Sequence, residues 1–350
     1  MDDHNLTIGW QGQRYPIMQW IALDHRGFAG EVADLIRKWQ GGVPSFTLWT
    51  SGSTGNPRPH VFSREFILAR SRATARALGL QPHTTALLAL PVRSAGGFMV
   101  LMRALTIPMH LIVQPPSTRP FAGVCDPIHF AAFTPHQVAY ILQQTPEALA
   151  SVQTVIIGGA PISPVLEAKL RKLPNTIYHT YGMTETLSHI ALRNISAGEC
   201  YYRPLPDVQC SITTTGTLQV YFPAFDYKVV TTDRVRFHPQ GIEWLGRSDF
   251  VINSGGVKLS PEVIERKLAS HPQVVQWMEN RQLRFYITSA PHPMLGRCVA
   301  LVYDVEKPIS EKEWSAVIQE TLSPYERPRR MIRRPVRCNQ GGKVLREPIE

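Results

Sequence analysis

The sequence predicts an α/β fold: a large N-terminal domain with mostly parallel sheet, then a smaller α+β unit. Three observations carry this. Short aliphatic or β-branched runs alternate with amphipathic stretches from residue 28 to residue 179. Gly- or Ser-rich turns follow the expected strands at 50–55, 158–161 and 181–185. Beyond about residue 200 the strands shorten, and Gly246-Arg247-Ser248-Asp249 interrupts the pattern. Alternating strands and helices favour parallel sheet, and ligands of such sheets sit beyond the carboxyl ends of the strands.

Val32, Leu35, Ile36 and Trp39 recur at helical spacing and predict a helix over Phe28–Trp39, closed by Gly41-Gly42-Val43-Pro44. Phe46–Trp49 reads as a buried strand, Arg64–Leu78 as a helix, Thr85–Leu90 as a strand ending at Pro91, and Gly97–Leu105 as a helix. His110–Val113 is a strand and Pro135–Gln144 a helix. Val152–Ile157 is a β-branched strand, Pro164–Leu173 a helix, and Thr176–His179 a strand running into Tyr181-Gly182. Later come strands at Leu218–Phe222, Val235–Phe237 and Ile242–Leu245. A helix follows at Pro261–Ala269, with Ser260 as its cap. Strands near Leu283–Ile287 and Val299–Tyr303 and a helix over Ser310–Thr321 complete the chain. The expected domains are 1–248 and 249–350.

At 350 residues the chain is too long for one compact core. Its 43% hydrophobic content argues against disorder. The most apolar window, Ala86–Leu105, is broken by Arg93 and Arg103, so no membrane insertion is expected. The polar start, Met1-Asp2-Asp3-His4-Asn5, does not read as a secretory signal. Five scattered cysteines without a CxxC pair fit reduced thiols and a cytoplasmic setting. The net charge of +10 suits a polyanionic partner: nucleic acid, anionic membrane or nucleotide. Six arginines between Arg327 and Arg337 have no interleaved aromatics, which disfavours a stacking platform for nucleic acid.

Four segments carry chemistry. Thr50-Ser51-Gly52-Ser53-Thr54-Gly55, followed by Arg58, offers backbone N–H groups, hydroxyls and a charge that can wrap phosphate oxygens. It is not a G-x-x-x-x-G-K-[ST] loop, and alone it equally fits a Gly/Ser surface loop. Tyr181-Gly182-Met183-Thr184-Glu185 supplies a flat ring, a hydroxyl and a carboxylate able to hold Mg²⁺; alone it also fits a turn capped by Thr184. Gly246-Arg247-Ser248-Asp249-Phe250 precedes Ser254-Gly255-Gly256 and a helix start. Gly341-Gly342-Lys343 lies near the C-terminus.

In this order, with Thr231-Thr232-Asp233 between the second and third, the segments resemble the adenylate-forming superfamily of acyl- and aryl-CoA synthetases, luciferases and peptide-synthetase adenylation domains. The resemblance runs from Phe46 to Arg346. Leu90-Pro91, Arg103-Ala104-Leu105, Ser188-His189-Ile190-Ala191-Leu192-Arg193 and Tyr325-Glu326-Arg327-Pro328 look most like the short o-succinylbenzoate–CoA ligases of menaquinone biosynthesis. Three departures stand out: Pro57-Arg58-Pro59 for Pro-Lys-Gly, Thr232 for the glycine of Thr-Gly-Asp, and Cys338-Asn339-Gln340 for Pro-x-Thr. The resemblance also implies a fold shortened at the N-terminus and a mobile C-terminal domain.

It further implies an ATP-dependent acid–CoA ligase working through an acyl-adenylate, with Mg²⁺, coenzyme A and a small carboxylic acid and no nucleic acid. The alternatives are another acyl- or aryl-CoA synthetase, an enzyme loading a carrier protein, or a silent nucleotide binder. By the same resemblance, residues 50–55 and Arg58 hold phosphates, and Thr184 and Glu185 place the α-phosphate and Mg²⁺. Gly159-Ala160-Pro161, Tyr181 and Gly182 border the adenine, while Asp233 and Arg247 take the ribose. Lys343 bridges the substrate carboxylate and the α-phosphate, Asp249 is the hinge, and Gly255-Gly256 line the pantetheine path. Ser94, Gly96, Gly97 and Phe98 shape the acid pocket, with Arg103 or His189 facing a second carboxylate.

Overall fold

The computed structural model describes residues 6–50, 58–338, 344–347 and 349. Chain contacts divide it into two compact units: Met1–Pro161 with Leu170–Gln209 and Tyr221–Val229, and Ile162–Lys169 with Cys210–Val220 and Val230–Glu350.

In the first, the hairpin β1 (Thr7–Trp10) and β2 (Gln13–Pro16) precedes α1 (Ile17–Ile21) and α2 (Gly27–Gln40). A second hairpin follows, β3 (Ser45–Trp49) and β4 (Pro59–Ser63), and then α3 (Arg64–Leu78). The chain continues as β5 (Thr85–Leu88), α4 (Ala95–Thr106), β6 (His110–Val113), β7 (Phe130–Phe133), α5 (Pro135–Gln144), α6 (Pro146–Ala150) and β8 (Thr154–Ile157). After α7 (Pro164–Leu170), which belongs to the second unit up to Lys169, the first unit resumes with β9 (Thr176–Met183), β10 (Ser188–Asn194) and β11 (Arg203–Pro204). One nine-stranded sheet runs β11-β10-β9-β8-β7-β5-β6-β1-β2. Its centre, β9-β8-β7-β5-β6-β1, is parallel, and its margins are antiparallel. Strands β5 to β8 are buried at every position, as strands covered on both faces must be, and so they read as apolar runs rather than alternations. Thr134 and Gln137 form a capping box on α5, and the Gln137 amide also donates to the carbonyls of Ala89 and Ser117, fixing the chain beyond β5.

The sequence pattern places α2, α3, α4 and β9 within a few residues but misses β1, β2, β7 and β10. The expected strand from Val152 begins at Thr154, and the helix expected to reach Leu173 stops at Leu170.

Downstream, β12 (Gln209–Ile212), β13 (Leu218–Phe222) and β14 (Tyr227–Val230) form a three-stranded sheet, and β15 (Asp233–His238) and β16 (Gly241–Arg247) a hairpin. Then come β17 (Ile252–Ser254), β18 (Val257–Leu259), α8 (Pro261–Ala269), α9 (Pro272–Asn280), β19 (Arg284–His292), β20 (Gly296–Asp304), α10 (Glu311–Thr321) and β21 (Arg330–Arg333). The sheet order is β18-β17-β20-β19, and β21 adds parallel to β20. Trp277 and Trp314 meet edge to face at 5.0 Å in its core, with Ile264, Leu268, Ile287 and Leu301. Ser260 stands at the start of α8 as expected, but its side chain makes no cap bond; its hydroxyl accepts from Arg234 instead. The β15–β16 hairpin groups with the C-terminal segments because α8 holds it. Arg266 donates to the Trp244 carbonyl and pairs with Glu243.

Candidate active site

In the first unit, the carboxyl ends of β8 and β9 bring two of the expected segments together. Ile157 lies opposite His179, so the chain leaving β8 through Gly159, Ala160 and Pro161 passes beside Tyr181. His179 fixes this arrangement. Its Nε2 lies 3.1 Å from the Ala160 carbonyl, which can only accept, so Nε2 carries the proton and Nδ1 accepts from the Tyr202 hydroxyl at 2.8 Å. The Tyr181 and Tyr202 rings lie 5.6 Å apart. Gly182 has a packing reason for being glycine: a Cβ there would stand 2.2 Å from the Ser188 carbonyl oxygen and 2.4 Å from the His189 Cα.

Thr184, Glu185 and Thr186 form a 3-10 turn after β9. The buried Thr186 hydroxyl bonds within it, to Met183 and Ser188. Leu187 and Ser188 then take φ of 58° and 117°, two side-chain-bearing residues in succession where the backbone is strained. Thr184 and Glu185 are half-buried. The Tyr227 hydroxyl donates to the Glu185 carbonyl at 2.9 Å, and burial together with the Glu185 charge raises the Tyr227 pKa.

Thr50 and Arg58 extend the β3–β4 ladder. The Thr50 N–H donates to the Arg58 carbonyl, and the Arg58 N–H to the Thr50 hydroxyl. Ser51, Gly52, Ser53, Thr54 and Gly55 lie outside the described residues, as does Lys343.

The four residues expected to shape the acid pocket open α4. The Ser94 hydroxyl donates to the Pro91 carbonyl and caps the helix, while Gly97 packs on the Pro91 carbonyl and Gly96 on Leu90. Phe98 is buried, 5.6 Å from the Phe46 ring. Arg103, in the last turn, is 1% exposed and lies over the Phe130 ring. Its Nε and Nη1 have no hydrogen-bond partner, and no carboxylate pairs with it among the described residues. Burial, and secondarily the Arg70 charge, push its pKa down to about 9, so it stays cationic at neutral pH.

His189 sits beside it on β10, with Nε2 3.0 Å from the Thr74 hydroxyl. Arg70 donates to the His189 carbonyl at 2.7 Å and pairs with Asp207. Burial, then Arg103, then Arg70 hold the His189 pKa well below 6.5, so the imidazole is neutral. The unfolded chain therefore binds a proton below pH 6.5 that the folded chain refuses. Stability contributed by neutral His189 is present above that pH and is lost as pH falls toward the folded pKa. His189→Gln is expected to flatten the fall in unfolding free energy below pH 6.5 by up to about 1.4 kcal/mol per pH unit, measured by urea melts.

In the second unit, Asp233 and Arg247 face each other across β15 and β16. A bulge at Leu245 creates that register: Val235 pairs with Trp244, but Arg234 pairs with Gly246. Thr231 accepts from the Asp233 N–H and donates to the Leu218 carbonyl. The Arg247 guanidinium pairs with Asp249 at 2.6 Å. Gly246, at φ 120°, leaves room for the buried Glu262, whose Oε2 would lie 2.4 Å from a Cβ there. Burial raises the Glu262 pKa. Gly255 and Gly256 form the two-residue turn between β17 and β18, against Leu295.

Sequence reasoning missed Arg70, Thr74, His179, Tyr202, Asp207 and Glu262. Only Arg70 and Thr74 offered a local signal, one helical turn apart on α3.

This is the arrangement of an enzyme that binds a nucleotide at the end of a parallel sheet. The family model for AMP-binding enzymes matches residues 24–241, and the chain belongs to that family. It is 26% identical over 323 residues to the 2-succinylbenzoate–CoA ligase of Escherichia coli, covering 87% of this chain and 68% of that one. Among solved structures, an acyl-CoA synthetase (AMP-forming)/AMP-acid ligase II-like protein from Dyadobacter fermentans superposes with a TM-score of 0.62 at 31% identity, covering 92% of this chain and 93% of that one. The o-succinylbenzoate CoA synthetase of Bacillus subtilis, in complex with its acyl-adenylate intermediate, gives a TM-score of 0.73 at 21% identity, covering 86% of this chain and 67% of that one. The adenylate-forming fold expected from the motifs is the fold observed. No helix among the described residues is long and apolar enough to cross a membrane.

Proposed function

We propose that the chain is an ATP-dependent, AMP-forming acid–CoA ligase acting on o-succinylbenzoate. The observation that carries the choice of acid is Arg103. Of two buried guanidiniums, Arg70 pairs with the carboxylate of Asp207, whereas Arg103 has none among the described residues, and the nearby His189 imidazole is neutral. One buried cation is left over, and a dicarboxylic acid supplies its counter-charge.

A carboxylate is a poor electrophile. Attack of its oxygen on the α-phosphorus of ATP forms the C–O–P linkage and expels pyrophosphate. The CoA sulfur then forms a bond to the acyl carbon, and AMP leaves. The protein must bring anions together and neutralise charge building on phosphorus. In this reading residues 50–55 and Arg58 cradle the β- and γ-phosphates, Thr184 orients the α-phosphate, and Gly159-Ala160-Pro161, Tyr181 and Gly182 border the adenine. Asp233 and Arg247 hold the ribose. Lys343 bridges substrate carboxylate and α-phosphate.

Glu185 fits Mg²⁺. It is one half-buried carboxylate beside the Thr184 hydroxyl, and Mg²⁺ takes one or two carboxylates and fills its other positions with phosphate oxygens and water. When bound, the ion would supply charge neutralisation on the phosphates. In this reading the reaction takes place in the cytoplasm, where ATP and CoA are available.

We take the working lobes as 1–248 and 249–350, joined at Asp249. Turning the second lobe would break the Arg247–Asp249 pair and the contact from the Arg247 N–H to Glu262. Asp249→Pro, which stiffens the joint, is expected to slow thioester formation about 10-fold or more while adenylation changes under 3-fold, read as separate half-reactions. Equal change in both would count against Asp249 as the hinge.

Pyrophosphate release with o-succinylbenzoate, ATP and Mg²⁺, with and without CoA, tests the main reading. Acid-dependent release, and CoA-dependent formation of a thioester, are expected. No release with any acid of an aryl and acyl panel would overturn it.

A further inference from the structure

We propose that Arg70, held in place by Asp207, is a specificity-determining residue for the acid: without touching the substrate, it strengthens the preference for a ring bearing a second carboxylate. This rests on the ligase reading and deepens it.

Arg70 lies mid-way along α3, is 3% exposed, and stacks 5.1 Å above the Phe222 ring. Nη1 is taken by Asp207, 137 residues away in the chain, and Nη2 by the His189 carbonyl. Thr74, one turn further on the same helix, holds the His189 ring. The guanidinium is thus clamped from three sides and has no freedom to reach a ligand. Its charge nevertheless bears on Arg103 and on His189, in each case making a proton harder to hold.

The like charges of Arg70 and Arg103, both buried, repel each other in a medium that screens them poorly. The Asp207 carboxylate, itself 32% exposed, offsets only part of this. An incoming carboxylate on Arg103 feels both guanidiniums and relieves their repulsion. An acid without that group leaves the repulsion in place and Arg103 Nε and Nη1 unpaired. Discrimination is a difference between two affinities, and Arg70 enlarges it from both sides.

The test compares kcat/KM for o-succinylbenzoate and for the same keto acid lacking the ring carboxylate. In the double variant Arg70→Met with Asp207→Asn, which removes the pair together and buries no lone charge, the ratio is expected to fall by about 10-fold, chiefly through KM for the dicarboxylate. Arg70→Lys keeps the charge and is expected to keep most of the ratio. Thermal melts accompany both variants. A double variant that loses activity equally toward both acids, or that keeps the wild-type ratio, overturns the proposal and reduces Arg70 to a structural part. So does a ratio that collapses in Arg70→Lys while the fold is intact. A wild-type enzyme that makes the thioester of o-succinylbenzoate while the variant ratio stays put sinks this inference alone. A wild type indifferent to the ring carboxylate removes both this inference and the assignment of the acid.

Discussion

Lys343→Ala is expected to lower acyl-adenylate formation by about 10²- to 10³-fold while leaving conversion of a supplied acyl-adenylate to thioester within about 3-fold of wild type. The reason is electrostatic. The first half-reaction drives a carboxylate toward a triphosphate, and negative charge grows on the phosphorus as the bond forms. An ammonium group that touches both partners favours the transition state over the separated reactants. The second half-reaction begins from an adenylate whose phosphoryl group carries a single charge and uses a different nucleophile. Pyrophosphate release measures the first step and thioester absorbance the second. Comparable losses in both would refute the role given to Lys343.

The second large effect concerns Arg103. Arg103→Met is expected to reduce kcat/KM for o-succinylbenzoate by about 10²-fold, and for the keto acid without the ring carboxylate by less than about 3-fold. The variant removes a cation buried with two unpaired nitrogens, so its thermal stability is expected to match or exceed wild type. The two readouts together separate a binding role from a packing role. A packing residue would lose stability, and would lose activity toward both acids alike.

The fold class and the positions of several candidate residues are legible in the chain because they are local. Tyr181, Thr184 and Glu185 lie within five residues at a strand end, and Asp233 and Arg247 lie on the two arms of one hairpin. The alternation of strand and helix gave the parallel sheet. Three kinds of feature were not legible. Phe130–Phe133 is a strand of only four residues, half of them alanine, too short to show a period. The return of Ser188–Asn194 beside β9 depends on the strained turn at Leu187 and Ser188. The Arg70–Asp207 pair joins residues that only the folded sheet brings together. Arg103 was visible as a charge interrupting an apolar run. That it has no partner is a property of three dimensions.

The extra residue at Leu245 has a consequence for how this enzyme tolerates insertions and deletions. An in-frame loss of that one aliphatic side chain would erase no functional group and would turn the bulge into a regular ladder, with Val235 opposite Trp244, Arg234 opposite Gly246 and Asp233 still opposite Arg247. What such a deletion would remove is the extra twist and bend that a bulge gives its strand, so the aim of the Asp233 and Arg247 side chains is expected to change while their pairing is kept.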